Sequence, residues 1–250
     1  MNEDKFSGKA DIYARFRPTY PDEALDYLYT DAGLSEESVV ADIGSGTGIL
    51  TELLLRRGSF VYGVEPNGDM RRTAEQSLAE YTRFRSVNAS AEHTGLPASS
   101  VDFVTAAQSF HWFDRAAFKT ECRRILKSGG KAALLWNSRD SQSALVAEND
   151  AVNRAFCPSF KGFSGGMRGE GPGEYNDFFR NNCAYCVIRH DLVFDEDSFI
   201  GRNMSASYAP AQTDSRHADY IAALRELFRK YGSGGQLLMP NLTRIYVGEV

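Results

Sequence analysis

The chain is 250 residues long, enough to bury one substantial core and within the range of a single α/β domain with insertions. Hydrophobic residues make up 42% and charged residues 24%, and the formal net charge of −5 lacks the basic excess of a general nucleic-acid or membrane-surface binder. No apolar run approaches the roughly 20 residues needed to cross a bilayer, Met1 to Lys5 has no signal-peptide core, and the chain is read as cytoplasmic.

Prolines 18 and 21 hold the stretch from Tyr13 to Pro21 extended or turned before a helix that starts at Asp22. The apolar run Val39-Val40-Ala41-Asp42-Ile43 predicts a strand, and the pattern through Leu53, Leu54 and Leu55 a helix. A strand at Val61 to Val64 ends at Glu65, and a helix follows through Met70, Ala74 and Leu78. Strands are expected at Phe84 to Val87 and Val101 to Ala107, then a helix from Ala116 to Leu126 stopped by Ser128-Gly129-Gly130 as a glycine C-cap. Lys131 to Trp136 reads as a buried fifth strand. Strands separated by helical patterns imply crossover connections and a parallel, doubly wound sheet.

The remaining residues are less regular. Ser143 to Ala155 is expected to be helical, residues 158–173 form a long glycine- and serine-rich loop, and Cys183 to Phe194 reads as one long strand. A capped helix over Asp195 to Met204, an amphipathic helix over Asp214 to Tyr231 and a strand at Leu242 to Val247 complete the chain. The four cysteines are too few for a disulfide scaffold. Cys183 and Cys186 lie three apart in a strand pattern, so they point to opposite faces and read as ordinary strand cysteines, and no second pair has zinc-like spacing.

The chemistry concentrates at Asp42-Ile43-Gly44-Ser45-Gly46-Thr47-Gly48. A strand that turns into a helix through glycines lets a ligand approach the backbone closely, and the helix N-terminus adds N–H groups and a positive dipole end. Dinucleotides use a G-x-G-x-x-G turn, but here the third glycine position is Ile49 and the turn is preceded by Asp42, a carboxylate that would repel phosphates and suit a cationic ligand. Glu65, 21 residues beyond Gly44, can accept both hydroxyls of a ribose and suits either an S-adenosylmethionine or an NAD ligand. Gln108-Ser109-Phe110-His111-Trp112-Phe113 begins where the fourth strand should end, and its aromatic groups could pack against a sulfonium.

The heptad from Asp42 to Gly48 resembles the first motif of class I S-adenosylmethionine-dependent methyltransferases. The Tyr13-to-Pro21 and Phe110-His111-Trp112-Phe113 segments are similar to elements of a small-molecule subgroup that includes relatives of trans-aconitate methyltransferase. The resemblance implies a Rossmann-like, seven-stranded, mostly parallel sheet with an antiparallel C-terminal strand. It divides the chain into an N-terminal lid and helix over 1–35, a cofactor-binding core over 36–140, and substrate-side insertions with closing antiparallel strands over 141–250. It implies S-adenosyl-L-methionine as cofactor, S-adenosyl-L-homocysteine as product, and a lid that brings Tyr13 and Arg17 to the methionine end.

The cofactor set implied in this way is Tyr13, Arg17, Asp42, Gly44, Ser45, Gly46, Thr47, Gly48, Glu65, Pro66, Met70, Ala91, Glu92, Gln108, Ser109 and Phe110. In the resembled family a segment like Ala91 to Pro97 runs past the adenine. His111 is the candidate base for an acceptor that must lose a proton, and Trp112, Trp136, Arg139, Arg202 and Tyr208 are the candidate acceptor contacts. No metal is expected. The expected activity is methyl transfer to a small molecule, at a carboxylate or hydroxyl, by a monomer or homodimer that binds neither nucleic acid nor membrane. An NAD-binding oxidoreductase and a non-catalytic S-adenosylmethionine-binding protein are the alternatives.

Overall fold

A computed structural model describes residues 19–163, 171, 173–180 and 183–250. Helix α1 spans Asp22–Thr30, β1 Val39–Ile43, α2 Ile49–Arg56, β2 Phe60–Val64, α3 Gly68–Ser77, β3 Phe84–Val87 and β4 Val101–Ala107. A 3-10 turn at Phe110–Trp112 leads into α4, Arg115–Ile125, and β5, Leu126–Arg139. The later elements are α5 at Ala144–Phe156, β6 at Ala184–Arg189, β7 at Leu192–Phe194, α6 at Glu196–Met204, α7 at His217–Tyr231, β8 at Leu237–Met239 and β9 at Asn241–Gly248.

Seven strands form one sheet in the order β3-β2-β1-β4-β5-β9-β6. The first five are parallel, and β9 runs antiparallel to both β5 and β6. This is the Rossmann-like, mostly parallel sheet that the resemblance implies. The central strand β1 is covered on both faces, which is why Val39 to Ile43 reads as an apolar run rather than an alternating one. On one face α1, α2 and α3 pack through Leu25, Leu28, Leu50, Leu54 and Ala74. On the other, α4 packs through Phe118, Cys122 and Ile125, together with Tyr175, Phe178 and Phe179. From β1 the chain winds outward to β3 and then returns to the opposite side at β4, so a crevice opens at the C-terminal ends of β1 and β4.

A third core belongs to a separate helical layer. Leu145, Val146, Phe160, Phe199, Tyr220, Leu224, Phe228, Leu237 and Met239 pack α5, α6 and α7 against a two-stranded ribbon of β7 and β8.

Two elements differ from the expectations. The predicted strand over 183–194 is two strands in two sheets, β6 against β9 and β7 against β8. The chain turns between them at His190 and Asp191, where His190 N–H donates to Asn241 O (2.8 Å) and Asp191 Oδ1 accepts from Asn241 N–H (3.3 Å). The glycine C-cap after α4 is also absent. Leu126 is already extended (φ −67°, ψ 137°), and β5 begins there. Gly129 (φ +77°) and Gly130 instead serve a register skip, in which Leu126 pairs with Val101 and Lys131 with Phe103. A Cβ on Gly130 would come within 3.0 Å of the Asp102 carbonyl. Cys183 and Cys186 are not disulfide-bonded to each other and pack on opposite faces of the sheet. No helix among the described residues is long and apolar enough to cross a membrane.

Candidate functional site: the crevice at the ends of β1 and β4

The glycine turn is held from β2. Gly44 and Ser45 N–H both donate to Val64 O (2.8 and 3.2 Å), and Gly48 N–H donates to Ser45 O (2.9 Å). All three glycines have positive φ, +65°, +58° and +87°, which side chains with a Cβ rarely adopt. Their surroundings differ. A Cβ at Gly44 would lie 2.6 Å from Ser109 Cβ, and one at Gly48 would lie 2.8 Å from Leu78 Cδ1. Of the three, only Gly46 has no atom of the described residues within 4 Å. Gly44 and Gly48 therefore serve internal packing, Gly48 taking the helix-packing role of a dinucleotide turn's third glycine, and the open cradle for a ligand is at Gly46.

Glu65 closes that cradle. Its Oε2 accepts the Gly46 N–H (2.9 Å) and its Oε1 accepts the Asn67 N–H (2.8 Å), so the carboxylate is fixed at the mouth of the turn. Asn67 then caps α3, accepting from Asp69 and Met70 N–H at 3.0 Å each. Arg71 holds the same bend by donating to Glu65 O (3.0 Å), Pro66 O (3.3 Å) and Asn88 Oδ1 (2.9 Å). Met70 is buried in the flank of the turn and Pro66 is half-buried. Asn67 and Arg71 were not among the sequence candidates, although an Asn two residues after a strand-end acid is a readable helix cap.

Asp42 requires a correction. It is 1% exposed, and its carboxylate accepts the hydroxyls of Thr51 (2.6 Å) and Thr105 (2.8 Å) instead of facing the crevice. Burial pushes its pKa up to about 6, against the opposing pull of those hydroxyls. It supports the turn from beneath and contacts no open space. Thr47 is 7% exposed and its hydroxyl has no hydrogen-bond partner among the described residues, while Ser45 is half-buried with Oγ above Gly63.

The segment after β4 is likewise more internal than expected. Ser109 Oγ donates to Ile43 O (2.8 Å), and Gln108, at φ +57°, turns its amide to Asn137 O (2.9 Å) on β5. Phe110 is fully buried, its ring within 4.9–6.3 Å of Phe113, Phe118, Trp136, Tyr175 and Phe178. Trp136 is 6% exposed and stacks on Tyr175 at 4.9 Å, so both Phe110 and Trp136 are packed in the core. The turn pushes two consecutive residues outward: His111 and Trp112 are exposed with rings 4.6 Å apart. Phe113 packs beside Phe118 and faces Gly44.

Beyond β3, Ala91 is buried, and Glu92 Oε1 accepts the Asp114 N–H (2.9 Å). On the acceptor side, the Arg139 guanidinium lies 3.8 Å from the centre of the Phe163 ring, Phe163 packs on Phe160 (5.3 Å), and Phe160 on Tyr208 (4.7 Å). The fold thus brings Arg139 and Tyr208 to one aromatic patch, while Arg202 lies half-buried on α6. Tyr13 and Arg17 lie outside the described residues. Among the described residues no group of three His, Cys, Asp or Glu side chains could hold a metal ion.

The comparisons with known proteins point to methyltransferases. Residues 41–134, which run from β1 through the turn to the middle of β5, match the model of the methyltransferase domain family. Residues 41–134 are thus similar to a methyltransferase domain. An uncharacterized methyltransferase of Mycobacterium tuberculosis is 37% identical over 143 residues, 57% of this chain and 56% of the relative. A candidate methyltransferase of Dictyostelium discoideum is 35% identical over 137 residues, 54% of this chain and 49% of the relative. The chain thus spans about half the length of the curated methyltransferases it matches. Among solved structures, a candidate type II methyltransferase from Anaeromyxobacter dehalogenans superposes with a TM-score of 0.63 at 25% identity, over 94% of this chain and 98% of the other. A candidate methyltransferase from an antibiotic biosynthesis pathway of Anabaena variabilis shares the fold at a TM-score of 0.61 and 21% identity, over 91% and 98%. The matched stretch includes the glycine turn and Glu65, and an oxidoreductase reading of the turn is not favoured.

Proposed function

We propose that this protein transfers the methyl group of S-adenosyl-L-methionine to a small-molecule acceptor at a carboxylate or hydroxyl oxygen. The observation that carries the reading is the cradle at Gly46, open above and tied through its N–H to the Glu65 carboxylate. On this reading a nucleoside would sit in that cradle, its ribose hydroxyls toward Glu65 and its base toward the main chain of Ala91 and Glu92. Asp42 acts indirectly, by holding the turn through Thr51 and Thr105. Residues 36–140 then serve the cofactor, and 141–250 the acceptor.

S-adenosylmethionine supplies a methyl group already activated on a sulfonium, so the chain must align the acceptor oxygen and exclude water. Trp112, 40% exposed beside the crevice, provides a wall against solvent. Arg139 and Tyr208 on their aromatic patch, with Arg202, would take the charge of an anionic acceptor. A carboxylate has no proton to lose. A hydroxyl does, and the exposed His111 ring can accept it at a ring nitrogen.

Calorimetric titration with S-adenosylmethionine, S-adenosylhomocysteine and NADH tests the reading. Micromolar binding of the first two, weakened by Glu65→Ala and absent for NADH, is the expected result. A folded sample that binds neither would overturn it.

A further inference from the structure

The loop that joins β3 to β4 has almost no regular structure, and two of the contacts that hold it, at Glu92 and Thr94, come from the α4 segment. At the start of the helix, Asp114 N–H donates to Glu92 Oε1 (2.9 Å). Two turns later Glu121 takes hold of Thr94. Its Oε1 accepts both the main-chain N–H (2.8 Å) and the hydroxyl (2.5 Å) of Thr94, and Leu96 N–H donates back to Thr94 Oγ1 (3.2 Å). Arg124 covers the same carboxylate with Nε to Oε2 and Nη2 to Oε1, each at 2.7 Å.

Glu121 is 4% exposed and Thr94 1%. Glutamate is almost never that buried unless it is paired, because its charge loses water. Its neighbours on the inward face of α4, Phe118, Cys122 and Ile125, are apolar, and an apolar side chain at 121 would dock the helix as well. What the carboxylate adds is the conformation of the loop. Between the crevice and Thr94 lie only Ala91, Glu92 and His93, and Ala91 packs in one core with Ala41, Ile43 and Val64 from the strands that carry the glycine turn and Glu65. A base extending from a ribose at Glu65 meets this stretch, where recognition by main-chain groups needs the loop fixed in register.

We infer that Glu121 is a positioning residue for recognition of the cofactor's base, acting through Thr94 on the main chain of Ala91 and Glu92. The inference rests on the cofactor reading proposed above. It gives α4 a second task, since the same helix follows directly from His111 and Trp112 on the acceptor side.

The test compares S-adenosylhomocysteine with S-inosylhomocysteine, which differs only in presenting a 6-keto base, by titration into the full chain. The intact protein should prefer the adenine compound. Thr94→Val and Glu121→Gln should each narrow that preference roughly tenfold, the factor carried by one misplaced hydrogen bond. Thr94→Ser, which keeps the hydroxyl, should retain it. A variant that weakens both compounds equally, or neither, overturns the positioning role, as does an intact protein that does not distinguish the two bases. An intact, folded protein that binds neither compound fails earlier, at the cofactor itself, and takes both readings with it.

Discussion

Thr51 donates its hydroxyl to Asp42 at 2.6 Å, a bond that fastens the first turn of α2 to the end of β1 across the glycine turn. Thr105 on β4 donates to the other oxygen at 2.8 Å. The turn is therefore held from below by a buried carboxylate with two neutral donors and no cation among these partners.

That arrangement makes a signed prediction about pH. Burial raises the Asp42 pKa to about 6 from an ordinary 3.8, while Thr51 and Thr105 pull it down and Glu65 pushes it up further. The folded protein then binds this proton more tightly than the unfolded chain. Its contribution to stability grows as pH falls through about 6 and levels off below about 4. Relative to Asp42→Asn, the wild type should gain about 2 kcal/mol between neutral pH and pH 4. Urea unfolding of both proteins across that range measures it, and a constant gap would show that the carboxylate is hydrated.

The three glycines should respond differently to alanine. Gly44→Ala places a Cβ 2.6 Å from Ser109 Cβ at a φ of +65°, and should lower stability by about 2–4 kcal/mol. Gly46→Ala meets no atom of the described residues, which leaves the strain of its φ, about 1 kcal/mol. It should nevertheless weaken S-adenosylhomocysteine binding the more selectively of the two, because the new methyl group enters the cradle. Parallel thermal melts and titrations separate the effects.

In the helical layer, Tyr220 OH donates to Asn153 Oδ1 at 2.6 Å with both residues fully buried. Tyr220→Phe leaves a buried amide oxygen unsatisfied and should cost about 1–3 kcal/mol. Adding Asn153→Leu removes the stranded group and should recover part of the loss. Denaturant melts of the single and double variants decide it, and simple additivity would mean the bond is not the source of the cost.

His111→Ala separates acceptor chemistries. With a hydroxyl acceptor, kcat should drop by about a hundredfold or more. With a carboxylate acceptor it should hardly change. Equal loss on both would assign His111 to binding instead of proton transfer.

The parallel strands, the glycine turn and Glu65 were legible because each carries a local signal: an apolar run, a glycine spacing, an acid at a fixed distance. What was hidden depended on which way a turn points its side chains. Phe110 to Phe113 reads as one aromatic segment, yet the 3-10 turn buries Phe110 and exposes His111 and Trp112. Trp136 lies on a strand whose two faces are both covered, so its burial follows from neighbours far away in sequence. The break at His190 was masked by alternation that continues on either side of it. Glu121 sits among Lys119, Arg123 and Arg124 and reads as one more surface charge, since only the tertiary approach of Thr94 shows its use.

The helical layer buries its own set of side chains, none of which belongs to the two cores that flank the sheet. Substitutions inside it therefore leave the packing beneath the glycine turn untouched, and a local opening of α5, α6 and α7 need not disturb the sheet. Backbone amides of those helices should exchange with solvent as one group, ahead of those in β1 and β4. Over generations the same separation lets one half of the molecule diversify while the other stays constant.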